Sequence, residues 1–305
     1  MTDAVPPGRF PAPGSTDIAL SVRTHDRVGE RRTDDAWLEE IWADPVTRVV
    51  PIVGTRFPAD EQGAGVRWHT AADVPPGQRI FLGMRADVAH FAVVVDEPTD
   101  DGPWTTFRAV VQTLPEPDAG FMVHAVALAE WHASHRFCPR CGGRLRVTDA
   151  GHVLVCEQCG RQQFPRTDPA VIMLVTDGDR ALLGRQESWP EGRYSTLAGF
   201  VDPGESLEEA VVREVAEETG VLVGSVSYFG NQPWPFPQSL MVGFFAQALS
   251  TEICVDGAEI SDARWFTRDE MELEAEAGTL ILPGGISISR SLVEAWYGGP
   301  LPGHW

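Results

Sequence analysis

Residues 199–221 read GFVDPGESLEEAVVREVAEETGV, and their carboxylates are the strongest chemical signal in the chain. Glu214, Glu217 and Glu218 fall at i, i+3 and i+4, so on a helix they crowd one face. Like charges that close repel, and a divalent cation relieves the repulsion. Mg²⁺ and Mn²⁺ take oxygen ligands, and Mg²⁺ in particular keeps waters and pairs one or two carboxylates with a substrate phosphate. The spacing therefore points to metal-assisted phosphate chemistry. The plainer alternative is a solvated acidic helix face held by Glu209–Arg213 and Arg213–Glu217 pairs.

A second constellation is made of cysteines. Cys138-Pro-Arg-Cys141 and Cys156-Glu-Gln-Cys159 are two CxxC pairs with 14 residues between them. Four thiolates on two short knuckles give a closed tetrahedral site suited to one structural Zn²⁺. Disulfides or a redox CxxC are the alternatives, and a cytoplasmic setting disfavours both. The fifth cysteine, Cys254, has no partner in sequence and is expected to be a small buried or half-buried apolar residue.

The third is Asn231-Gln-Pro-Trp-Pro-Phe-Pro-Gln-Ser239. Prolines at alternate positions predict a stiff extended segment without a regular ladder. Trp234 and Phe236 on such a segment could stack on a flat heterocycle. Gln232 and Ser239 could hydrogen-bond an amide, a ribose or a phosphate. The alternative is a Pro-rich connector whose aromatics pack inward.

These groups need elements to hold them. Ser206 and Glu209 form a capping-box pattern that starts a helix at about residue 207. Ala210, Val211 and Val215 can face a core, and Gly220 stands where a C-cap glycine is expected. Strands are predicted at Ala170–Thr176 and Ala181–Gln186, near 222–231, 239–249 and 259–266, with helical segments near 268–275 and 286–297. Upstream, Arg48–Val53, Arg79–Gly83, His90–Val95 and Phe107–Val111 look like strands. Asp34–Ala43 and Gly120–Ser134 look like helices.

The boundaries expected from this pattern are a poorly ordered Pro- and Gly-rich tail over 1–16, an N-terminal domain over 17–134, a cysteine module over 135–166 and a C-terminal domain over 167–305. The fold class is α+β with a mostly β N-terminal domain. The net charge of −20 argues against a broad electrostatic grip on nucleic acid. It leaves open recognition of a single nucleotide end through a metal. No apolar run is long enough for a membrane helix and no secretory h-region is visible, so a cytoplasmic location is expected.

At every defined position the 199–221 stretch resembles the Nudix box, G-x5-E-x7-R-E-U-x-E-E-x-G-U with U apolar. The QPWPFPxS signature and the four-cysteine ribbon before the box resemble the NADH pyrophosphatase subfamily of Nudix hydrolases. Phe81-Leu-Gly-Met-Arg-Ala-Asp87 and Trp131-His-Ala-Ser-His-Arg-Phe-Cys138 resemble it more loosely. The resemblance implies a C-terminal Nudix α/β/α sandwich that hydrolyses the pyrophosphate of NADH or NAD to NMN(H) and AMP and removes NAD caps from RNA 5′ ends.

It also implies metal binding by Glu214, Glu217, Glu218, Glu259 and the Ala198 carbonyl, with about two or three Mg²⁺ or Mn²⁺ ions. The same three box glutamates are the catalytic residues, and Glu218 matches the one whose loss is most damaging. Phe200 and Trp234 match aromatics that sandwich the nicotinamide, with Trp234 coming from the other subunit of a homodimer. Gln232, Ser239 and the main chain near Ile288 match other substrate contacts. Glu205 and Arg213 match a salt bridge that holds the loop on the helix. Two positions depart from the pattern: Asn231 stands where Ser is common, and Phe164, a further candidate contact, stands where some relatives have Tyr. An ADP-ribose or other dinucleoside pyrophosphatase is the second reading, and a nucleotide sensor with a dead Nudix fold is the rival from outside the enzymes.

Overall fold

The computed structural model describes residues 18–21, 23–98, 100–255 and 257–303. The tail expected over 1–16 lies outside them. The chain forms two compact units. The N-terminal unit comprises Arg23–Thr167 with Pro235–Gln238, and the C-terminal unit comprises Asp168–Trp234 and Ser239–Trp305, with residues 18–21.

The N-terminal unit runs α1 (Asp35–Ala43), β1 (Arg48–Ile52), β2 (Arg56–Pro58), β3 (Gln78–Arg85), β4 (Val88–Val94), β5 (Trp104–Thr106), α2 (Phe107–Val110), α3 (Glu116–Ser134), β6 (Leu145–Thr148), β7 (Val153–Cys156) and β8 (Gln162–Gln163). β4 is central in a sheet ordered β1-β4-β3, parallel to β1 and antiparallel to β3. α1 sets Trp37 and Trp42 edge-on against Phe81 and Phe91 of that sheet. The stretch Phe107–Val111, read as a strand from its apolar run, is helical instead. Thr106 caps it by accepting from the Ala109 amide at 3.3 Å, and its buried residues Phe107 and Val110 are one helical turn apart. β6, β7 and β8 form a separate three-stranded sheet that carries the cysteines.

The C-terminal unit runs β9 (Asp168–Asp177), β10 (Arg180–Arg185), β11 (Leu197–Phe200), α4 (Leu207–Thr219), β12 (Val223–Trp234), β13 (Ser239–Ala248), β14 (Asp262–Thr267), α5 (Arg268–Glu276) and α6 (Ile288–Tyr297). The sheet order is β12-β13-β9-β10-β14, with β11 pairing β9. Alternate residues of β9 feed two cores, as the pleat requires. Ile172 and Leu174 pack with α5 and α6 through Met271, Leu292 and Trp296. Val171, Met173 and Val175 pack with α4 through Ala210, Val211 and Val215. The result is an α/β/α sandwich.

The Pro-rich segment differs from the irregular extended loop its prolines predict. The ladder continues to the end of β12, with Pro233 opposite Leu240 and Trp234 opposite Ser239. β12 is an edge strand, where a residue without an N–H costs no ladder bond on the open side. Cys254, expected to be buried or half-buried, is exposed. Its loop is tied by the backbone, with the Cys254 amide donating to the Thr219 carbonyl at 2.8 Å, so the thiol is not drawn into a core.

Candidate active site

Helix α4 is fixed at both ends by its own sequence. The Ser206 hydroxyl accepts from the Glu209 amide at 3.2 Å, and the Glu209 carboxylate accepts from the Ser206 amide at 3.0 Å. Gly220 closes the helix in the left-handed region at φ 69°. The buried stripe runs Ala210, Val211, Glu214, Val215, Glu218 and Thr219. Glu214 and Glu218 therefore lie on the edge of the core-facing stripe, with Glu218 only 4% exposed. Glu217 stands outside it in solvent.

Arg213 organises the surrounding charge. Its Nε and Nη2 donate to the two oxygens of Glu205 at 2.8 and 2.9 Å, and Nη2 also donates to the Phe200 carbonyl at 2.9 Å. Its Nη1 reaches Glu214 at 2.8 Å and Glu217 at 3.1 Å. One guanidinium thus fastens the loop after β11 to α4 and restrains two of the acidic residues. Glu205 is held below the usual carboxylate range by the Arg213 hydrogen bonds. Glu214 is pushed above it by burial. Arg213 opposes that rise, while Glu217 and Glu259 add to it.

An open cleft of about 1080 Å³ runs along this helix face. Of the residues singled out in the sequence, Ala198, Phe200, Glu214, Glu217, Glu218, Ser239 and Glu259 line it. Phe200 is 58% exposed beside the carboxylates. Sequence reasoning missed the strand that brings Ala198 and Gly199 here, β11, in which they pair with Ile172 and Val171. It also missed Gln186, Glu187 and Ser188, which follow β10 and line the same cleft. Their only signal was a polar run directly after an apolar strand.

The other candidates lie elsewhere. Gln232 is 1% exposed and its amide is used inside the protein. Its Nε2 donates to the Ala19 and Ile286 carbonyls at 2.8 and 2.7 Å, and its Oε1 accepts from the Ile288 amide at 3.0 Å. Ile288 itself is buried. Trp234 is half-buried at the end of β12. Phe236 stacks on Phe107 with centroids 5.7 Å apart, and the Arg108 guanidinium lies 5.1 Å from its ring. Phe164 is in the N-terminal unit and is 64% exposed.

The cleft offers oxygen donors and an excess of negative charge that Arg213 only partly offsets, which suits a hard divalent cation. Among the described residues, no three of its carboxylates meet within 4.8 Å as they stand. A cation that keeps waters and shares a substrate phosphate does not need them to.

The cysteine site is more closely drawn. The sulfurs of Cys138, Cys141, Cys156 and Cys159 all lie within 4.8 Å of one another, with Cys138–Cys159 at 3.8 Å and Cys141–Cys156 at 3.5 Å, and none is in a disulfide. A tetrahedral zinc with bonds of about 2.3 Å needs sulfurs about 3.8 Å apart. The Cys159 amide pulls the Cys156 thiol down to about 6 against the cost of burial, and the Arg140 amide lowers Cys138. The Gly143 amide favours the Cys141 thiolate, but its sulfur neighbours Cys156 and Cys159 push it up to about 12. Four thiols competing for negative charge at this range fit a cation between them.

Comparison with known proteins places this geometry. The chain is 41% identical over 241 residues to the NAD-capped RNA hydrolase NudC of Mycobacterium tuberculosis H37Rv, covering 74% of this chain and 77% of that one. The chain is a Nudix hydrolase. The NUDIX domain family matches residues 166–281, the NADH pyrophosphatase zinc ribbon domain matches 133–164, and the NADH pyrophosphatase-like rudimentary NUDIX domain matches 50–131. This Nudix hydrolase is also 43% identical over 196 residues to the human NAD-capped RNA hydrolase NUDT12, which covers 60% of this chain and 42% of that protein. Among solved structures, a NUDIX hydrolase from Nitrosomonas europaea is similar, with a TM-score of 0.43 and 21% identity over 55% of this chain and 96% of that one.

Proposed function

We propose that this Nudix hydrolase cleaves the pyrophosphate of NADH and NAD to NMN(H) and AMP, and removes NAD caps from RNA 5′ ends. The observation that carries the reading is the cleft itself, in which Glu214, Glu217, Glu218 and Glu259 share one wall system with the exposed ring of Phe200. Carboxylates for a phosphate-bound cation and an aromatic face for a base are the two recognition elements that a dinucleotide needs. The names of the similar proteins support the same substrates.

Glu214, Glu217, Glu218 and Glu259, with the Ala198 carbonyl, would hold Mg²⁺ or Mn²⁺. Such a cation, when bound, neutralises phosphate oxygens and lowers the pKa of a water. Glu218 orients the attacking water and accepts its proton. Glu214 is held in place by Arg213. Phe200 stacks on the nicotinamide, and Ser239, also on the cleft, hydrogen-bonds the substrate. Trp234 completes the base pocket of a partner copy in a homodimer, with Phe236 and Phe164 as further contacts. Gln232 acts by fixing the Ile288 backbone, and the zinc in the ribbon is structural. Among the described residues no helix is long and apolar enough to cross a membrane, which is compatible with a cytoplasmic enzyme.

The test is product analysis after incubation with NADH, ADP-ribose and NAD-capped RNA, each with Mg²⁺ and with Mn²⁺. NMN(H) and AMP from the first and 5′-monophosphate RNA from the third are expected. Turnover of ADP-ribose well above both would move the assignment to the second reading.

A further inference from the structure

The net charge of −20 conceals an uneven distribution. All 24 basic residues of the chain are arginines. Elsewhere in the chain Arg67, Arg79, Arg180, Arg213, Arg264 and Arg290 each hold a carboxylate. The cysteine ribbon concentrates arginines against few acids. Residues 135–166 contain six arginines against Asp149 and Glu157. Even a tetrathiolate zinc centre, with a net charge of about −2, leaves this segment positive.

Arg136, Arg140, Arg144, Arg146 and Arg161 are all exposed. Among the described residues none of the five is in an ion pair. The ribbon also exposes a large apolar ring. Phe137 is 57% exposed, is bridged across the sheet edge to Arg144, and has that guanidinium 5.9 Å from its centroid. An exposed phenylalanine beside the Arg144 guanidinium costs solvation and is not needed to close a four-sulfur site.

We infer that the zinc ribbon is a binding surface for single-stranded RNA, with the arginines on phosphates and Phe137 stacked on an unpaired base. Single strands are recognised by this combination, because every base has a π-face and every linkage carries a charge. An acidic peptide would use the arginines but leave the ring unoccupied. The inference rests on the proposed action on capped RNA for its biological sense. It gives the protein a positively charged surface for RNA, which the acidic cleft does not offer.

The test uses the full-length zinc-loaded protein and two variants, Arg140→Ala/Arg144→Ala/Arg161→Ala and Phe137→Ala, with zinc content measured in each. Binding of an uncapped 5′-monophosphate single strand of about twenty nucleotides, enough to span more than one site, is followed across salt concentrations. Turnover of NADH and of the NAD-capped form of the same strand is measured in parallel. Loss of three phosphate contacts is expected to flatten the log–log salt slope by about 2. The KM for capped RNA is expected to rise about tenfold or more in the triple variant, and NADH kinetics to stay unchanged. Equal RNA affinity and slope in wild type and triple variant overturns the inference. So does poly-glutamate binding as tightly as RNA with no effect of Phe137→Ala. If the wild type binds the strand through these residues but cleaves only NADH, the ribbon surface stands and the decapping activity falls.

Discussion

The carboxylate of Glu214 occupies the space that a side chain at residue 199 would need. A Cβ built on Gly199 would lie 1.9 Å from Cδ of Glu214 and 2.0 and 2.2 Å from its oxygens. The requirement for glycine here is therefore one of close approach between β11 and α4, not of backbone conformation. Gly199→Ala is expected to push Glu214 off Arg213 and out of register with Glu218. A displacement of about 1 Å at such a site costs on the order of a hundredfold in rate. Steady-state turnover of NADH checks this. The global fold should persist, because the clash is with the far end of a side chain, and a variant with full activity would show that Glu214 can serve from another position.

Gln232 offers a sharper division between structure and chemistry. Its three hydrogen bonds tie β12 to residues 286–288 and to Ala19. Gln232→Leu leaves the Ile288 amide and two carbonyls without these partners, which costs about 1–3 kcal/mol. Denaturant unfolding is expected to show that loss as a lower midpoint with an unchanged slope. A raised KM with unchanged stability would instead mean that the side chain leaves its buried bonds to meet substrate.

These two residues also show what the sequence could and could not reveal. The helix α4, its capping box and its glycine stop depend on neighbours within a turn or two, so the spacing alone placed them correctly. The Arg213–Glu205 pair was legible because it lies inside one recognisable motif. The burial of Gln232, the pairing of Ala198 with Ile172 and the arrival of Gln186–Ser188 in the cleft depend on contacts with sequence-distant residues. No local period encodes them. The helix at Phe107–Val110 was misread for a related reason: a short apolar run has no period of its own, and the deciding Thr106 cap is one residue outside it.

The ribbon is expected to hold about one zinc per chain and to depend on it. Apparent binding energies for such sites are on the order of 10–16 kcal/mol and are largely folding energy. Incubation with a strong chelator, or Cys156→Ser, is expected to remove the metal and lower the melting temperature of the first transition. Metal analysis alongside calorimetry checks both. Retention of one zinc by the Cys156→Ser protein with an unshifted transition would argue against a four-sulfur structural centre.

Glu218 gives the most direct test of the proposed chemistry. It is nearly buried in the cleft wall, while Glu217, one residue before it, is exposed and shares Arg213 with Glu214. Glu218→Gln keeps the shape and removes the charge and the proton acceptor. Loss of a positioned general base costs about 10²–10⁴ in rate, and weakened cation binding adds to it. Turnover of NADH is expected to fall by at least that much in a protein that still unfolds in a single cooperative transition, which denaturant unfolding checks. Glu217→Gln, in solvent and restrained by a single 3.1 Å contact, is expected to weaken the metal requirement first. Its activity should recover as Mg²⁺ or Mn²⁺ is raised, whereas that of Glu218→Gln should not. Recovery of both variants at high metal would assign Glu218 to cation binding alone and move the base to Glu187, Glu214 or Glu259, the other carboxylates on the cleft.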